Sequence, residues 1–168
     1  AFFLLEAAQA ALRGFEHLAR FTRTGLEEAG VLARRVDAKG EPLPAALVTK
    51  HLTFSRPYRA VFSQTLRVDT TTRFIDAMVV LLVRLHLSGF YWGDVSLSNV
   101  LFRRDAGSFA AYLVDAETGE LIDGEMSVGH RGNDIEVARI NIAGELLDLQ
   151  AGGRLDPSID PVDQANRF

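Results

Sequence analysis

The chain of 168 residues predicts an α+β fold, and three observations support this prediction. Two hairpin signals, at residues 31–52 and 100–114, indicate antiparallel strand pairs. Two long apolar segments, residues 72–87 and 133–149, have the pattern of helices that are buried in a core. The order of these elements predicts a mostly helical larger part that follows a smaller part containing the first hairpin.

The first third of the chain predicts a helix and then a hairpin. From about Phe3 to Arg23, apolar residues recur at the spacing of a helix. Val31 to Val36 and Ala46 to Leu52 are strand candidates, joined by a turn-like segment at residues 37–42.

The middle of the chain predicts a connector and then the most apolar helix. Residues 53–59 contain a proline and are expected to form the connector, and residues 60–66 a short helix. Capping side chains at residues 69–72 precede a strongly apolar helix from about Thr72 to Leu87. Because this segment is apolar on most of its faces, we expect it at the centre of a core.

The remainder of the chain predicts a second hairpin and a second buried helix. Val100 to Arg104 and Phe109 to Val114 are expected to pair around a tight Asp-Ala-Gly turn. After a loop, Asn133 and Asp134 would cap a helix that runs through Leu149. We expect this helix and the first apolar helix to be buried against each other.

Composition excludes several classes of protein. Apolar residues make up 48% and charged residues 24% of the chain, as in soluble globular proteins, and the net charge of −4 argues against nucleic-acid binding. The absence of cysteine excludes disulfides and thiolate metal sites and is compatible with the cytoplasmic location that we expect. The longest apolar run, Ala77 to Val83, is too short for a transmembrane segment. We expect the chain to be a piece of a longer protein with a polar, irregular tail after Asp156.

A polar loop and the strand that follows it carry the candidate chemistry. Asp94 and Asn99 lie five residues apart in the loop before the second hairpin, and Asp115 directly follows its second strand. Phosphoryl transfer from a nucleotide needs a carboxylate near the attacking hydroxyl and further oxygen ligands that hold Mg²⁺ on the phosphates. The alternatives are that the loop residues only form turns and that Asp115 only caps a strand.

The segment from Tyr91 to Phe102 resembles the catalytic loop of the protein-kinase-like superfamily, and Val114-Asp115 resembles its metal-binding segment. The match is to the branch that phosphorylates small molecules, glycans or lipopolysaccharide. The sequence around the loop also resembles a bacterial kinase-like family. The resemblance covers roughly residues 31–153. It implies a protein-kinase-like fold with a partial small lobe and hinge in residues 1–52 and a mostly helical large lobe in residues 53–168.

The resemblance also implies roles for individual residues. Asp94 would orient or deprotonate the hydroxyl of an acceptor, which is a small molecule, a glycan or a lipid-linked sugar. The implied cofactors are ATP and Mg²⁺. The implied metal ligands are Asn99, Asp115 and Glu117, of which Glu117 has a solvated turn residue as its alternative. The resemblance also implies a hinge at Thr49, Lys50 and Leu52, whose backbone would bind the adenine of ATP.

Two further residues have structural roles in this interpretation. Asp134 resembles the acid of the central helix that ties down the backbone of the catalytic loop, although an ordinary helix cap would be physically similar. His86, on the first apolar helix, is expected to be a hydrogen-bonded core histidine rather than a ligand.

Departures from the superfamily leave a second function open. Protein kinases have a lysine two residues after the catalytic acid, and this chain has Ser96; two residues before the acid it has Trp92 instead of histidine. No lysine precedes Lys39, and no Gly-x-Gly-x-x-Gly motif is present. These parts either lie upstream of Ala1 or are degenerate. The alternative to an active phosphotransferase is therefore a pseudokinase that serves as a nucleotide-binding or regulatory module.

Overall fold

Two antiparallel hairpins and two long helices make up most of the structure, which is a computed structural model. It describes residues 31–36, 38–48, 51–62, 66, 68–105, 107–116 and 118–168. The chain forms two units, Ala1–Thr53 and Phe54–Phe168, each held together mainly by its own contacts. The helix predicted near the start of the chain lies outside the described residues.

The first unit contains one antiparallel hairpin. Strand β1 (Val31–Val36) pairs with β2 (Pro42–Val48), and the pairing is irregular between Ala33 and Arg35. The predicted first strand is confirmed, whereas the second starts and ends earlier than its pattern indicated. A proline fits at the first position of a strand, where its missing N–H leaves few ladder bonds unmade.

The second hairpin of the chain belongs to a three-stranded antiparallel sheet in the second unit. Strands β5 (Val100–Asp105) and β6 (Ser108–Leu113) confirm the predicted hairpin to within a residue at each end. Strand β3 (Ser55–Pro57) pairs with the outer edge of β5, so the expectation of a plain connector here was wrong. Pro57 is tolerated because it ends an edge strand.

A two-stranded sheet joins the two ends of the segment that contains the polar loop and the second hairpin. Strand β4 (Phe90–Tyr91) pairs with β7 (Glu120–Leu121), and neither was predicted because each has only two residues. The pairing joins the chain before the polar loop to the chain after Asp115.

Helices α1 (Tyr58–Phe62) and α2 (Val68–Leu87) pack on the three-stranded sheet, and α2 rests mainly on β6. The Phe74 ring of α2 lies at the centre of this packing. Its centroid is 5.0 Å from that of Phe102 in an edge-on arrangement and 4.1 Å from that of Phe109. None of the described helices combines the length and the apolar composition that a bilayer-spanning segment needs.

Helix α2 is less central than its composition predicted. It begins before Thr72, and one face is buried through residues such as Ile75 and Met78. The opposite face leaves Val80, Val83 and Leu87 exposed. The helix ends at Leu87, and two residues further Gly89 has a φ of 79°, which suits a residue without a side chain.

Helix α3 (Val128–Ala151) starts five residues earlier than expected, and its N-cap is Ser127, which accepts a hydrogen bond from the His130 N–H at 3.1 Å. Two glycines in its first turns had favoured a loop. A short helix α4 (Pro161–Ala165) packs on α3, so the irregular tail was also a wrong prediction. Each long helix is buried along one face. The prediction that the two helices are buried against each other was wrong, because α2 and α3 do not share an extensive interface.

Candidate active site

The polar loop between β4 and β5 is held by apolar side chains that alternate with its polar ones. Trp92, Val95 and Leu97 are completely buried. Asp94 and Asn99 are partly exposed. Because the buried residues fix the backbone on the core side, the side chains of Asp94 and Asn99 are held at the surface by a rigid support.

Gly93 lets the loop turn directly before Asp94. Its φ is 78°, a conformation that other residues rarely adopt. A Cβ there would also lie 3.2 Å from the Thr118 carbonyl oxygen and 3.3 Å from the Tyr91 ring. The Gly-Asp pair therefore has a steric reason in this chain: the turn needs a residue without a side chain at this position.

Asp134 ties down the start of the loop from helix α3. Its side chain is fully buried and accepts hydrogen bonds from the backbone N–H of Trp92 at 3.0 Å and of Gly93 at 2.7 Å. His86 of α2 lies 2.8 Å from the same carboxylate. The expectations of a loop-anchoring acid and of a hydrogen-bonded core histidine are both confirmed, whereas the expectation that Asp134 helps to cap the helix was wrong.

Two amide groups bracket the carboxylate of Asp94. The Nδ2 of Asn99 donates to the Asp94 Oδ2 at 3.0 Å and to the Asp94 carbonyl oxygen at 3.1 Å. The Nδ2 of Asn141, on α3, donates to the Asp94 Oδ1 at 3.2 Å and to the Val95 carbonyl oxygen at 3.1 Å. Each carboxylate oxygen is thus held by a different residue, one from the loop and one from the helix.

Glu145 holds the end of the loop. Its carboxylate accepts hydrogen bonds from the backbone N–H of Leu97 at 2.8 Å and of Ser98 at 2.9 Å, and from the Ser98 hydroxyl. At 100° per residue, Asp134, Asn141 and Glu145 lie within roughly 40° of each other around the helix axis. One face of α3 therefore positions the whole loop at three points.

Tyr58 of α1 lies beneath this end of the loop. Burial raises the pKa of its phenol; nearby Ser98 opposes the shift, and the Glu145 carboxylate adds to it. The buried hydroxyl makes no hydrogen bond to the residues that the structure describes. The polar groups at this end of the loop are therefore satisfied by Glu145 rather than by Tyr58.

An open groove runs between the loop and α3, and Asp94 lies in it. Its loop wall is formed by Asp94, Ser96, Ser98 and Asn99, and its helix wall by Ile140, Asn141, Gly144 and Glu145. None of these described lining residues is a lysine or an arginine. The groove presents a carboxylate to solvent among neutral hydrogen-bonding groups and a second carboxylate.

The second hairpin brings two of the predicted metal ligands to the same end of the sheet. The backbone N–H of Val114 donates to the Asn99 carbonyl oxygen at 3.0 Å, which places Asp115 one residue beyond a hydrogen-bonded pair. Asp115 is exposed, and Glu117 lies outside the described residues. Among the residues that the structure describes, no group of three or more acidic or histidine side chains is arranged to hold a metal.

The donor set at this end nevertheless fits Mg²⁺. Both partners of the Asn99 Nδ2 are oxygens that can only accept, so the amide nitrogen must face Asp94. The Asn99 Oδ1 then points away from Asp94, and with the Asp115 carboxylate it offers the oxygen ligands that this cation prefers.

The predicted nucleotide-reading hinge is described only in part. Thr49 and Lys50 lie outside the described residues, and Leu52 follows them in irregular backbone of the first unit. Their role stays a prediction.

The comparisons with known proteins identify the family. The family model described as the lipopolysaccharide kinase (Kdo/WaaP) family matches residues 3–128, which is most of the chain. The chain belongs to this family. The resemblance to the kinase-like superfamily, and to its lipopolysaccharide-kinase branch, is thereby confirmed. The family match ends at the first residue of α3, so all three loop-anchoring residues of that helix lie beyond it.

A solved structure supports the kinase-like fold. The structure described as WaaP in complex with acyl carrier protein is 13% identical, with a TM-score of 0.57, and the match covers 92% of this chain and 65% of that one. At this identity the similarity shows the fold alone, and the chain spans about two thirds of the length of that WaaP chain. The search of curated proteins found no match.

Asn141 and Glu145 are the site residues that sequence reasoning missed. On a helix, isolated polar residues usually indicate a solvated face. The available signal was their spacing, since they share a face with Asp134 and with the buried Ala138. Polar residues that recur on the buried side of a helix need partners there.

Proposed function

We propose that this protein transfers the γ-phosphoryl group of ATP to a hydroxyl of a lipopolysaccharide sugar. The observation that carries the proposal is the carboxylate of Asp94, held between two amide groups in an open groove of a chain that belongs to the lipopolysaccharide kinase family. A fixed, accessible carboxylate is what an acceptor hydroxyl needs when phosphoryl transfer depends on positioning.

In this proposal Asp94 accepts the proton of the acceptor hydroxyl. The acceptor oxygen forms a bond to the γ-phosphorus, the bond from that phosphorus to the β,γ-bridging oxygen breaks, and ADP leaves. Each carboxylate oxygen has two lone pairs, so an amide hydrogen bond to each still leaves room for the acceptor. The groove's hydroxyl, amide and carboxylate groups suit the polar surface of a sugar.

Asn99, Asp115 and Glu117 are the proposed Mg²⁺ ligands, and the backbone at Thr49, Lys50 and Leu52 is the proposed adenine site. When bound, Mg²⁺ would neutralise negative charge on the nucleotide phosphates. This matters in a groove whose described residues bring no positive charge, because Ser96 stands where protein kinases have a lysine. Strict dependence of turnover on a divalent cation is therefore expected.

The test is phosphate transfer from γ-labelled ATP to purified lipopolysaccharide, using the full-length protein. Asp94→Asn preserves the shape of the side chain while removing the base. We expect turnover to fall by about 10²-fold or more, with Mg-ATP binding, measured by calorimetry, largely unchanged.

Asp76→Asn is the matched control, since Asp76 is an exposed acid of α2 outside the groove. It should leave turnover unchanged. Unaltered turnover in the Asp94 variant would remove the proposed role of this residue. If wild-type protein binds Mg-ATP but transfers phosphate to no lipopolysaccharide or sugar acceptor, the pseudokinase interpretation replaces the enzyme.

A further inference from the structure

The carboxylate of Asp94 is held from two directions, and the helix supplies one of them. Asn99 is a near neighbour in the same loop and engages Oδ2, whereas Asn141 is 47 residues away and engages Oδ1. Each amide also donates to a carbonyl oxygen of the loop, of Asp94 itself or of Val95. One NH₂ group has two hydrogens, so each amide can make its pair of bonds at once.

The partners fix how Asn141 is oriented. Both of its acceptors are oxygens with no hydrogen to give, so exchanging the amide nitrogen and oxygen would put two acceptors in contact. Its helix position is also fixed, because α3 buries Ala138 and Ile142 on either side of this position in the sequence. Asn141 is therefore a rigid donor aimed at one oxygen of Asp94.

A carboxylate held at a single oxygen can still rotate about its Cβ–Cγ bond. With Asn99 alone, the Oδ1 of Asp94 would be free to turn within the groove. The bond from Asn141 holds the second oxygen and so sets the plane of the carboxylate. This plane decides which lone pairs face an acceptor in the groove.

We propose that Asn141 is a positioning residue that sets the orientation of the Asp94 carboxylate for proton transfer. The proposal rests on the proposed function, because it assigns a partner to the base of that reaction. It adds a residue of the helix to a catalytic apparatus that otherwise consists of loop residues. In this role Asn141 acts through Asp94.

The first test is kinetic and uses Asn141→Leu, which has a similar shape and no donor, in the full-length protein. We expect kcat to fall by about 10-fold or more, since small errors in the placement of a reacting group have effects of this size. The KM for ATP should stay within about 2-fold, as expected when only the reaction step is affected. Asn133→Leu is the control, because Asn133 is an exposed asparagine of the same helix that donates to Tyr91 outside the groove.

A double-mutant cycle separates positioning from general damage. In an Asp94→Asn background, Asn141→Leu should change the residual turnover by less than about 2-fold, because there is no base left to orient. An equal loss in both backgrounds, or an unchanged kcat in the single variant, would overturn the proposal. If the leucine variant does not fold, Asn141→Ser is used in the same cycle.

A second measurement does not need turnover. The Tm changes of Asp94→Ala and Asn141→Leu should be less than additive, because both remove the same hydrogen bond. Additive changes would show that the two side chains are not coupled. If wild-type protein has no turnover, the proposed function is wrong and the positioning role falls with it, while this cycle still decides whether Asn141 holds Asp94.

Discussion

Replacing Asp134 by alanine should release the start of the polar loop from helix α3. The side chain is fully buried, and its carboxylate is the acceptor for the backbone N–H groups of Trp92 and Gly93. Removing the carboxylate leaves both N–H groups without this acceptor. His86, 2.8 Å from the same group, loses its partner as well.

The magnitude follows from these contacts. Leaving a buried donor without an acceptor costs about 1–3 kcal/mol, and two backbone donors and a histidine share the loss at Asp134. We therefore expect the free energy of unfolding to fall by about 4 kcal/mol, close to the range for breaking a buried pair by removing one partner. For a unit of this size the Tm should fall by roughly 12 °C or more.

The chain offers a local probe for the assay. Trp92 is the single tryptophan of the sequence, it is fully buried, and its own backbone N–H is one of the two released donors. Thermal unfolding followed by its fluorescence therefore reports on the loop and its support. We expect the emission of Asp134→Ala to shift toward that of exposed tryptophan at a lower temperature than in the wild type.

Glu136→Ala is the matched control. Glu136 is an exposed acid two residues further along the same helix, and its one described ion pair is to Arg139 at 3.4 Å. Exposed pairs of this kind contribute little, so its Tm should stay within about 2 °C of the wild type. If Asp134→Ala behaves like this control, then the loop is not anchored by Asp134. Should the alanine variant not fold, Asp134→Asn keeps the shape and one acceptor and should show an intermediate Tm.

Three further predictions concern other parts of the second unit. Gly119→Ala would place a Cβ 2.0 Å from the buried Phe90 ring, so it should lower the free energy of unfolding by about 1–3 kcal/mol. Gly132→Ala, in open space on α3, should raise the free energy of unfolding by about 0.5–1 kcal/mol. Chemical denaturation of the two variants and the wild type measures both changes. Since burial raises the pKa of Tyr58, the contribution of its neutral phenol to stability is complete below the unfolded pKa of about 10 and is lost as pH rises toward the folded pKa. Tyr58→Phe should abolish this loss of stability at alkaline pH in a series of unfolding curves. An unchanged loss of stability in the variant would contradict the role of Tyr58. Asp115→Asn should raise the Mg²⁺ concentration needed for half-maximal turnover by about 10-fold or more, since a charged ligand is lost, and an unchanged metal dependence would remove Asp115 from the site.

The sequence predicted those parts of the fold in which local pattern and tertiary structure agree. The hairpin formed by β5 and β6 was located to within a residue because its apolar runs flank a strong turn signal. The start of α3 was missed because Gly129 and Gly132 favour a loop, yet both lie in the helix. The free energy gained by burying the opposite face of α3 outweighs the low helix propensity of these glycines.

The same division applies to the candidate site. Asp94, Asn99 and Asp115 could be proposed from sequence because they lie close together along the chain in a familiar order. Asn141 and Glu145 could not, because they contact the loop from more than forty residues away and only the packing of α3 brings them there. Contacts at such separations depend on tertiary structure, which local patterns do not encode.

The dependence of the loop on α3 has a consequence for the order of events during synthesis. Residues 92–99 are synthesised before their three anchors, Asp134, Asn141 and Glu145. At 5–20 residues per second, the nascent chain spends about two seconds or more with an unsupported loop. The loop therefore cannot hold Asp94 in its observed position until α3 has been made.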